Sequence, residues 1–290
     1  MTPRARPARG RGCEEGGALT TGTGPVLLAC SHGTASPDGR RAIADLRAGI
    51  AELRPGLEVV PAYVDVERPH VAEVVADLVA RGRRCVVVPL LLSAGHHVRV
   101  DIARAVAQAG GHAVAARALG PDPALVDVLV ERLAEAGAGS GDTLVGPGDA
   151  LVGPGDAVLL AAAGSSDERA TQDVRQVAAR LGERLRHPVT ACLLASAEPV
   201  MDVPVPDVPV LDVPVLDEAV AAARDGAQGG YGRVVVVTYL MGPGRLADGI
   251  AERARHAGAG AVTRPLAGHP ALARLALARY DEAVTELGRG

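Results

Sequence analysis

One α/β unit occurs twice in this chain, and that internal repeat constrains the fold more than any other feature. Three segments of the first half recur in the second half, in the same order and at similar spacing. The pairs are V-L-L-A-C-S-H-G-T (26–34) with V-L-L-A-A-A-G-S-S (158–166), V-V-V-P-L-L-L-S-A-G-H-H (86–97) with V-V-V-V-T-Y-L-M-G-P-G-R-L (234–246), and A-L-G-P-D-P-A-L (118–125) with P-L-A-G-H-P-A-L (265–272). A tandem repeat of this length predicts two domains of the same fold.

The two copies differ most where strands end. His32 faces Gly164 in this alignment, and His97 faces Leu246. Only the first copy therefore carries histidines at both positions. We expect chemistry in the first half and a degenerate scaffold in the second.

Short β-branched runs alternate with longer amphipathic stretches, a pattern typical of a parallel sheet with helical crossovers. Strands are predicted at 26–30, 58–64, 85–92, 112–116, 157–162, 189–194, 233–240 and 261–264, and first-half helices near 39–53, 69–81, 98–109 and 123–136. The predicted fold class is α/β. It consists of two tandem parallel-sheet domains with helices on both faces and a cleft between the lobes.

Composition shifts give the domain limits. Residues 1–24 predict a disordered tail or a start codon placed too early, 25–137 an N-terminal α/β domain that carries both histidine positions, and 157–288 a degenerate C-terminal domain. The heptapeptide L-V-G-P-G-D-A occurs twice in and around the linker 138–156. Proline-rich repeats make 202–216 an extended, exposed insertion that could overhang the cleft.

Composition also excludes several functions. The chain has no Phe or Trp, four Tyr and a formal charge of −4, which argues against nucleic acid as a partner. All 30 cationic residues are Arg, so no lysine is available for an ATP-binding P-loop or a Schiff base. Guanidinium groups suit a carboxylate ligand.

The four cysteines, Cys13, Cys30, Cys85 and Cys192, form no C-x-x-C pair, which argues against an iron–sulfur cluster or a thiolate zinc site. Cys30 and Cys85 lie in apolar runs and are predicted to be inert core thiols. No stretch has the length of a membrane span, so we expect a soluble cytoplasmic protein. The oligomeric state is left open.

Two other motifs point away from chemistry in the second half. G-P-G-R-L-A at 242–247 mimics a dinucleotide-binding loop, but it does not open the first β–α turn and lacks the following acidic residue, which disfavours NAD. There is no G-x-S-x-G, which disfavours an α/β-hydrolase. His269, opposite Asp122, is interpreted as structural or helix-capping.

Histidines follow two strands of the first half. His32 comes just after strand 26–30, and His96 and His97 come just after strand 85–92. If these strands are neighbours, their carboxyl ends bring the imidazoles to one point. Imidazole binds Fe, Co, Ni and Zn and accepts protons near neutral pH. The alternative is that each histidine is only a solvated turn residue.

The S-H-G-T after the first strand, together with P-L-L-L-S-A-G-H-H-V-R-V-D-I (89–102), resembles the sirohydrochlorin chelatases of the class II tetrapyrrole chelatase family. The resemblance runs from Val26 to about Leu287, without the repeat insertions. It implies ATP-independent insertion of a divalent metal, Fe²⁺ or Co²⁺, into sirohydrochlorin, a step towards siroheme or cobalamin. It also implies that His32 and His97 are the metal ligands and catalytic residues.

The resemblance implies a wider substrate site, with Arg99 gripping substrate carboxylates and Asp65 relaying protons. The tentative substrate-binding residues are Ser31, Gly33, Gly95, His96, Arg99 and Asp65. Arg99 could equally lie on a helix surface, Asp65 could be a helix N-cap, and His96 could replace His97 as ligand. Iron is favoured over cobalt, and precorrin-2 is left open as substrate. The rival functions are a non-catalytic metal or tetrapyrrole carrier and a binding protein for another small anion.

Overall fold

Both halves fold into the same alternation of strands and helices. The computed structural model describes residues 24–93, 95–139, 152–153, 155–165, 167–194, 213–226 and 232–287. The first half contains β1 Val26–Ser31, α1 Pro37–Leu53, β2 Val59–Tyr63, α2 Val71–Ala80, β3 Cys85–Pro89, α3 His96–Ala107, β4 Ala113–Ala115 and α4 Pro123–Gly139. The second contains β5 Ala157–Ala162, α5 Glu168–Leu185, β6 Val189–Leu193, α6 Leu216–Gly226, β7 Val234–Thr238, α7 Arg245–His256, β8 Ala261–Val262 and α8 Pro270–Leu287.

The strands form two four-stranded parallel sheets with the same order, β2-β1-β3-β4 and β6-β5-β7-β8. The predicted fold class, with helices on both faces and a cleft between the lobes, is confirmed. Every residue of β1, β3 and β7 is buried. This burial explains why these strands read as continuous apolar runs rather than as alternating ones, since a parallel sheet is covered on both faces.

Strand pairing corrects the predicted alignment of the two copies by one residue. Leu27 pairs with the first residue of β2, and Val158 pairs with the first residue of β6. His32 therefore corresponds to Ala163, and the prediction that it faces Gly164 is wrong. Gly33 and Gly164 are the true equivalents, and both have a positive φ, +93° and +96°. The V-L-L-A shared by both copies favoured the shifted alignment.

Two helices are exchanged between the lobes. The C-terminal helix α8 packs against α1, β3 and β4 of the first sheet, while α4 packs against α5, β7 and β8 of the second. One continuous apolar core accordingly includes Leu27 of β1, Leu160 of β5, Leu129 of α4 and Leu275 of α8. The limits 25–137 and 157–288 stay predictions, and packing links the two halves they define.

A buried arginine holds α4 on the second lobe. Arg132 is 1% exposed and donates to three backbone carbonyls at 265–267, in the connection that leads into α8. Glu135, one turn later, binds both Arg132 and Arg264. Hydrogen bonds from these arginines lower the pKa of Glu135 from its ordinary value of 4.5 to about 2. The carboxylate is therefore charged across the physiological range.

An equivalent network of hydrogen bonds holds α8 on the first lobe. Arg279 is 2% exposed and donates to the carbonyls at 118–119 and to Asp122 Oδ2, at 2.6 Å. Glu282 binds Arg279 and Arg117. These residues are the repeat equivalents of the α4 network, because alignment of the matched segments 118–125 and 265–272 places Arg279 opposite Arg132. The duplication therefore kept this anchor in both halves.

The proline-rich insertion ends earlier than predicted. Residues 202–212 lie outside the described residues, and so does the predicted overhang of the cleft. Val215 forms a bridge with Leu193, and Leu216 begins α6 and is fully buried. The prediction of an exposed segment is therefore wrong for its last residue, whose apolar side chain joins the core.

The remaining predictions concern the N-terminal tail, the repeat linker, the cysteines and membrane spans. Residues 1–23 and 140–151 lie outside the described residues, so the tail and most of the repeat linker stay predictions. Cys30 and Cys85 are fully buried, and burial raises their pKa values to about 12 and about 11, as expected of inert thiols. None of the described helices is long and apolar enough to cross a membrane.

Candidate functional site

A cleft of about 400 Å³ lies between the lobes, at the carboxyl ends of the strands. The first lobe lines it with His32, residues 91–93 and Gly95, and the second lobe lines it with residues 162–165 and 239–241, among others. Most of these side chains are small or aliphatic. The cleft can therefore hold an apolar body, with polar groups limited to a few positions on its wall.

His32 is exposed and lines this cleft. It directly follows β1, which pairs with β3 in register Cys30 to Pro89. The two histidine-bearing strands are therefore sheet neighbours, which is the condition for their histidines to converge. Leu91 follows Pro89 by two residues, as His32 follows Cys30, so both connections enter the cleft at the same level.

The loop that carries His32 is tied to the end of β2. Asp65 N–H donates to the His32 carbonyl at 3.0 Å. A Cβ on Gly33 would lie 3.0 Å from both the Asp65 carbonyl oxygen and Glu67 N, and its φ of +93° also favours glycine. Gly33 therefore allows the close approach of the two connections. It acts on backbone position, and it does not itself line the cleft among the residues described.

Glu67 holds the next residues of the same loop. Its Oε1 accepts from Thr34 N–H at 2.9 Å, and its Oε2 lies 3.3 Å from Arg40 Nε. Arg40 Nε also donates to the Thr34 carbonyl. Sequence reasoning missed Glu67, because an acidic residue in a connection has no pattern of its own. These bonds restrict the path of the chain that follows His32.

His96 and His97 were expected in a loop and instead begin α3. Gly95 is the N-cap residue, with extended backbone, and helical geometry starts directly after it. The prediction of a helix from 98 therefore places its start too late. The side chains of both histidines lie outside the described residues, so the choice between them stays a prediction.

Asp65 is exposed beside the His32 loop, and it is not a helix N-cap. His70 caps α2, and its backbone N–H donates to Glu73 Oε2. The N-cap alternative is therefore wrong, because residues 66–70 separate Asp65 from the helix. Ser31 is 4% exposed, and its Oγ has no hydrogen-bond partner among the described residues.

Among the described residues, three hydrogen bonds cross the cleft between the lobes. Ser93 Oγ donates to Asp173 Oδ2 at 2.7 Å, and Arg99 Nη2 donates to Asp167 Oδ2 at 3.2 Å. The third runs from Tyr239 Oη to a backbone carbonyl at 3.3 Å. Arg99 is therefore neither a free surface arginine nor an unoccupied carboxylate ligand here. The partners from the second lobe were not predicted, since no sequence spacing links them to the first.

Tyr239 is an aromatic residue in the wall of this cleft. It is 3% exposed and donates to the Leu92 carbonyl. Burial is the main cause that raises the pKa of its phenol, with the charges of Asp173 and Asp122 adding to it. The phenol therefore stays protonated as a hydrogen-bond donor and supports the segment that leads from β3 to α3.

His269 lies outside this cleft and caps a helix, as predicted. Its Nδ1 accepts from Ala271 N–H at the start of α8, and its Nε2 lies 2.7 Å from Glu131 of α4. Among the described side chains, no group of three or more His, Cys, Asp or Glu is placed to hold a metal ion. His96 and His97 are not part of that set.

Comparison with known families gives one match, and it lies within the first lobe. Residues 26–136 match the family described as CbiX. A comparison with curated proteins finds no match to the sequence. The family resemblance seen in the histidine motifs is confirmed by this match, which covers both of them.

Solved structures extend the likeness to both lobes. SirB from Bacillus subtilis with Fe³⁺ has a TM-score of 0.68 and 20% identity, over 92% of this chain and 98% of that one. The sirohydrochlorin chelatase SirB from Bacillus subtilis subspecies spizizenii, in complex with cobalt, has a TM-score of 0.64 and 18% identity, over 91% and 96%. A multi-domain protein of Deinococcus radiodurans with structural similarity to chelatases has a TM-score of 0.53 and 19% identity, over 88% and 54%. At these identities the likeness establishes a shared fold.

Proposed function

We propose that this chain is a sirohydrochlorin chelatase that inserts a divalent metal ion, Fe²⁺ in preference to Co²⁺, into its tetrapyrrole. One observation carries the proposal: His32 is exposed in an apolar cleft at the end of β1, beside the segment that leads from β3 into His97. The CbiX match and the fold shared with the SirB chelatases support it. We place the reaction in the cytoplasm.

Insertion of the metal requires that the ion lose bound water and that two pyrrole N–H protons leave the macrocycle. His32 and His97 act as metal ligands, and each imidazole accepts a proton as the ion passes to the ring nitrogens. Two ligands hold the ion less tightly than a closed four-ligand site would. The 2+ charge of the ion replaces the charge of the two departing protons, so the net charge of the macrocycle is unchanged.

Other residues of the proposed site act around this pair. The largely aliphatic wall packs against the macrocycle, and Gly95 keeps the start of α3 open to it. Asp65 takes protons onward from His32, to which its backbone is bonded. Ser31, Gly33 and His96 shape the same two connections, and Arg99 binds a carboxylate of the substrate.

The test is metal insertion, measured by the change in absorbance of sirohydrochlorin on mixing with Fe²⁺ or Co²⁺. We expect His32→Ala and His97→Ala each to lower the rate by about a hundredfold or more, because each removes a ligand and a proton acceptor. His256→Ala is the matched control, since that histidine is exposed at the end of α7, away from the cleft.

Two outcomes would contradict the proposal. Insertion rates that survive both substitutions would remove the histidines from the site. A wild-type protein that binds the ion or the ring without forming the metallated product would be a carrier. The ratio of the rates with Fe²⁺ and Co²⁺ under the same conditions tests the preference for iron.

A further inference from the structure

A second groove, of about 550 Å³, lies beside the cleft and is lined by arginines from both lobes. Its lining residues are Arg99, Val100, Ala103, Asp167 and Arg169. Asp167 lines the cleft as well, so the two spaces are adjacent. A ligand body in the cleft would therefore have its rim next to two guanidinium groups.

The guanidinium of Arg99 is only partly used within the protein. Its Nη2 makes one bond to Asp167 Oδ2 at 3.2 Å, and its buried Nε has no hydrogen-bond partner among the described residues. A guanidinium can bind a carboxylate through two parallel N–H bonds. The present contact uses one, which leaves donor capacity at the border of groove and cleft.

Asp167 has a second role that does not depend on Arg99. It is the N-cap of α5, and its Oδ1 accepts from Arg169 N–H at 3.0 Å. The side chain is 11% exposed. Another anion could displace Asp167 Oδ2 from Arg99 while Asp167 Oδ1 continues to cap α5. Binding of that anion would therefore not require α5 to unwind.

We propose that Arg99 and Arg169 form a subsite for a peripheral carboxylate of the substrate. In the free protein Asp167 forms an ion pair with Arg99, and the substrate carboxylate displaces Asp167 when it binds. The inference rests on the proposed function for the identity of the ligand. The incoming carboxylate takes a two-bond contact with Arg99, and Arg169 from the opposite lobe adds a second positive charge. The subsite selects polyanionic tetrapyrroles over neutral ones.

The experiment measures sirohydrochlorin binding without metal, by titration of its absorbance. Arg99→Gln should raise the Kd about tenfold or more, because a charge-assisted two-bond contact is lost. Asp167→Asn should lower the Kd, since the competing charge is gone while the amide oxygen can still cap α5. Arg104→Gln is the matched control: it changes an arginine of the same helix that is 66% exposed and paired with Asp101.

The Asp167→Asn variant distinguishes a lost carboxylate contact from a loss of folding, because an unfolded protein would not bind the tetrapyrrole more tightly. An unchanged Kd in Arg99→Gln, or an equal rise in Arg104→Gln, would overturn the subsite. A fully esterified tetrapyrrole should bind wild type and Arg99→Gln alike. If wild type binds with this pattern but inserts no metal, the subsite stands and the proposed function fails.

Discussion

The lobes meet through two pairs of connections related by the duplication, and the connections approach each other more closely in one pair than in the other. On the closed side, a Cβ on Gly39 of α1 would lie 2.9 Å from the Pro243 carbonyl oxygen, and one on Gly244 would lie 3.2 Å from Ser36 Cβ. On the open side, the nearest atom to a Cβ on Gly95 would be 3.9 Å away. Both sides contribute to the cleft, with His32 and Met241 from the closed side and Ser93 and Ser165 from the open side.

The exchanged helices show the opposite behaviour. Arg132 of α4 and Arg279 of α8 both donate to backbone carbonyls and bind the glutamate one turn later, Glu135 or Glu282, while Arg279 also binds Asp122. The two copies have therefore diverged at the cleft while the anchors that hold the lobes together remain alike. Packing of the lobes therefore depends on the same residues in both copies, whereas both proposed metal ligands come from the first copy.

The largest expected effect is a difference in stability between the two buried arginines, Arg279 and Arg132. Arg279→Ala should lower the free energy of unfolding by about 3–5 kcal/mol, because it leaves the mostly buried Asp122 without its ion-pair partner. Arg132→Ala should cost less, about 1–3 kcal/mol, because Glu135 is 41% exposed and keeps Arg264. Denaturant unfolding measures both. Exposed Arg274 of α8 gives the control, and equal losses in the two anchors would break the comparison.

A smaller effect tests the closed junction. Gly39→Ala should destabilise the protein by about 1–3 kcal/mol, because its Cβ has no room against the Pro243 carbonyl. Gly49→Ala, in the same helix, should instead stabilise by about 0.5–1 kcal/mol, since its Cβ would make an ordinary 3.5 Å contact with Ala273. Thermal unfolding of the two variants should shift in opposite directions. A shift of both upwards would show that the junction is not closed.

The smallest effect is the acid sensitivity of the α4 anchor. The folded-state pKa of Glu135 is about 2, below its ordinary value of 4.5, so its stabilisation is complete above about pH 4.5 and is lost as pH falls towards 2. Because the side chain is 41% exposed, solvent screening limits the effect to about 1 kcal/mol or less. Glu135→Gln should be less stable than wild type at about pH 6 and equal to it near pH 2. A constant difference across this range would contradict the assignment.

Much of the fold could be predicted because strands and helices leave periodic patterns. The predicted strand 157–162 matches β5 residue for residue, and the other strands differ from the predictions by a few residues at their ends. The start of α3 at His96 was missed, because glycine before two histidines reads as a loop. Glu67, Asp167 and Asp173 were missed as well, since their partners are distant in the chain.

The sequence by itself determined the duplication, the α/β class and the histidine-bearing strand ends, because each depends on local residue patterns that repeat. Only the tertiary structure decided which lobe each exchanged helix covers, since an amphipathic helix fits either sheet equally well by pattern. It also decided that Arg132 and Arg279 are buried and that Arg99 faces Asp167. The burial of these arginines and the pairing of Arg99 depend on contacts between distant parts of the chain, which local sequence patterns do not predict.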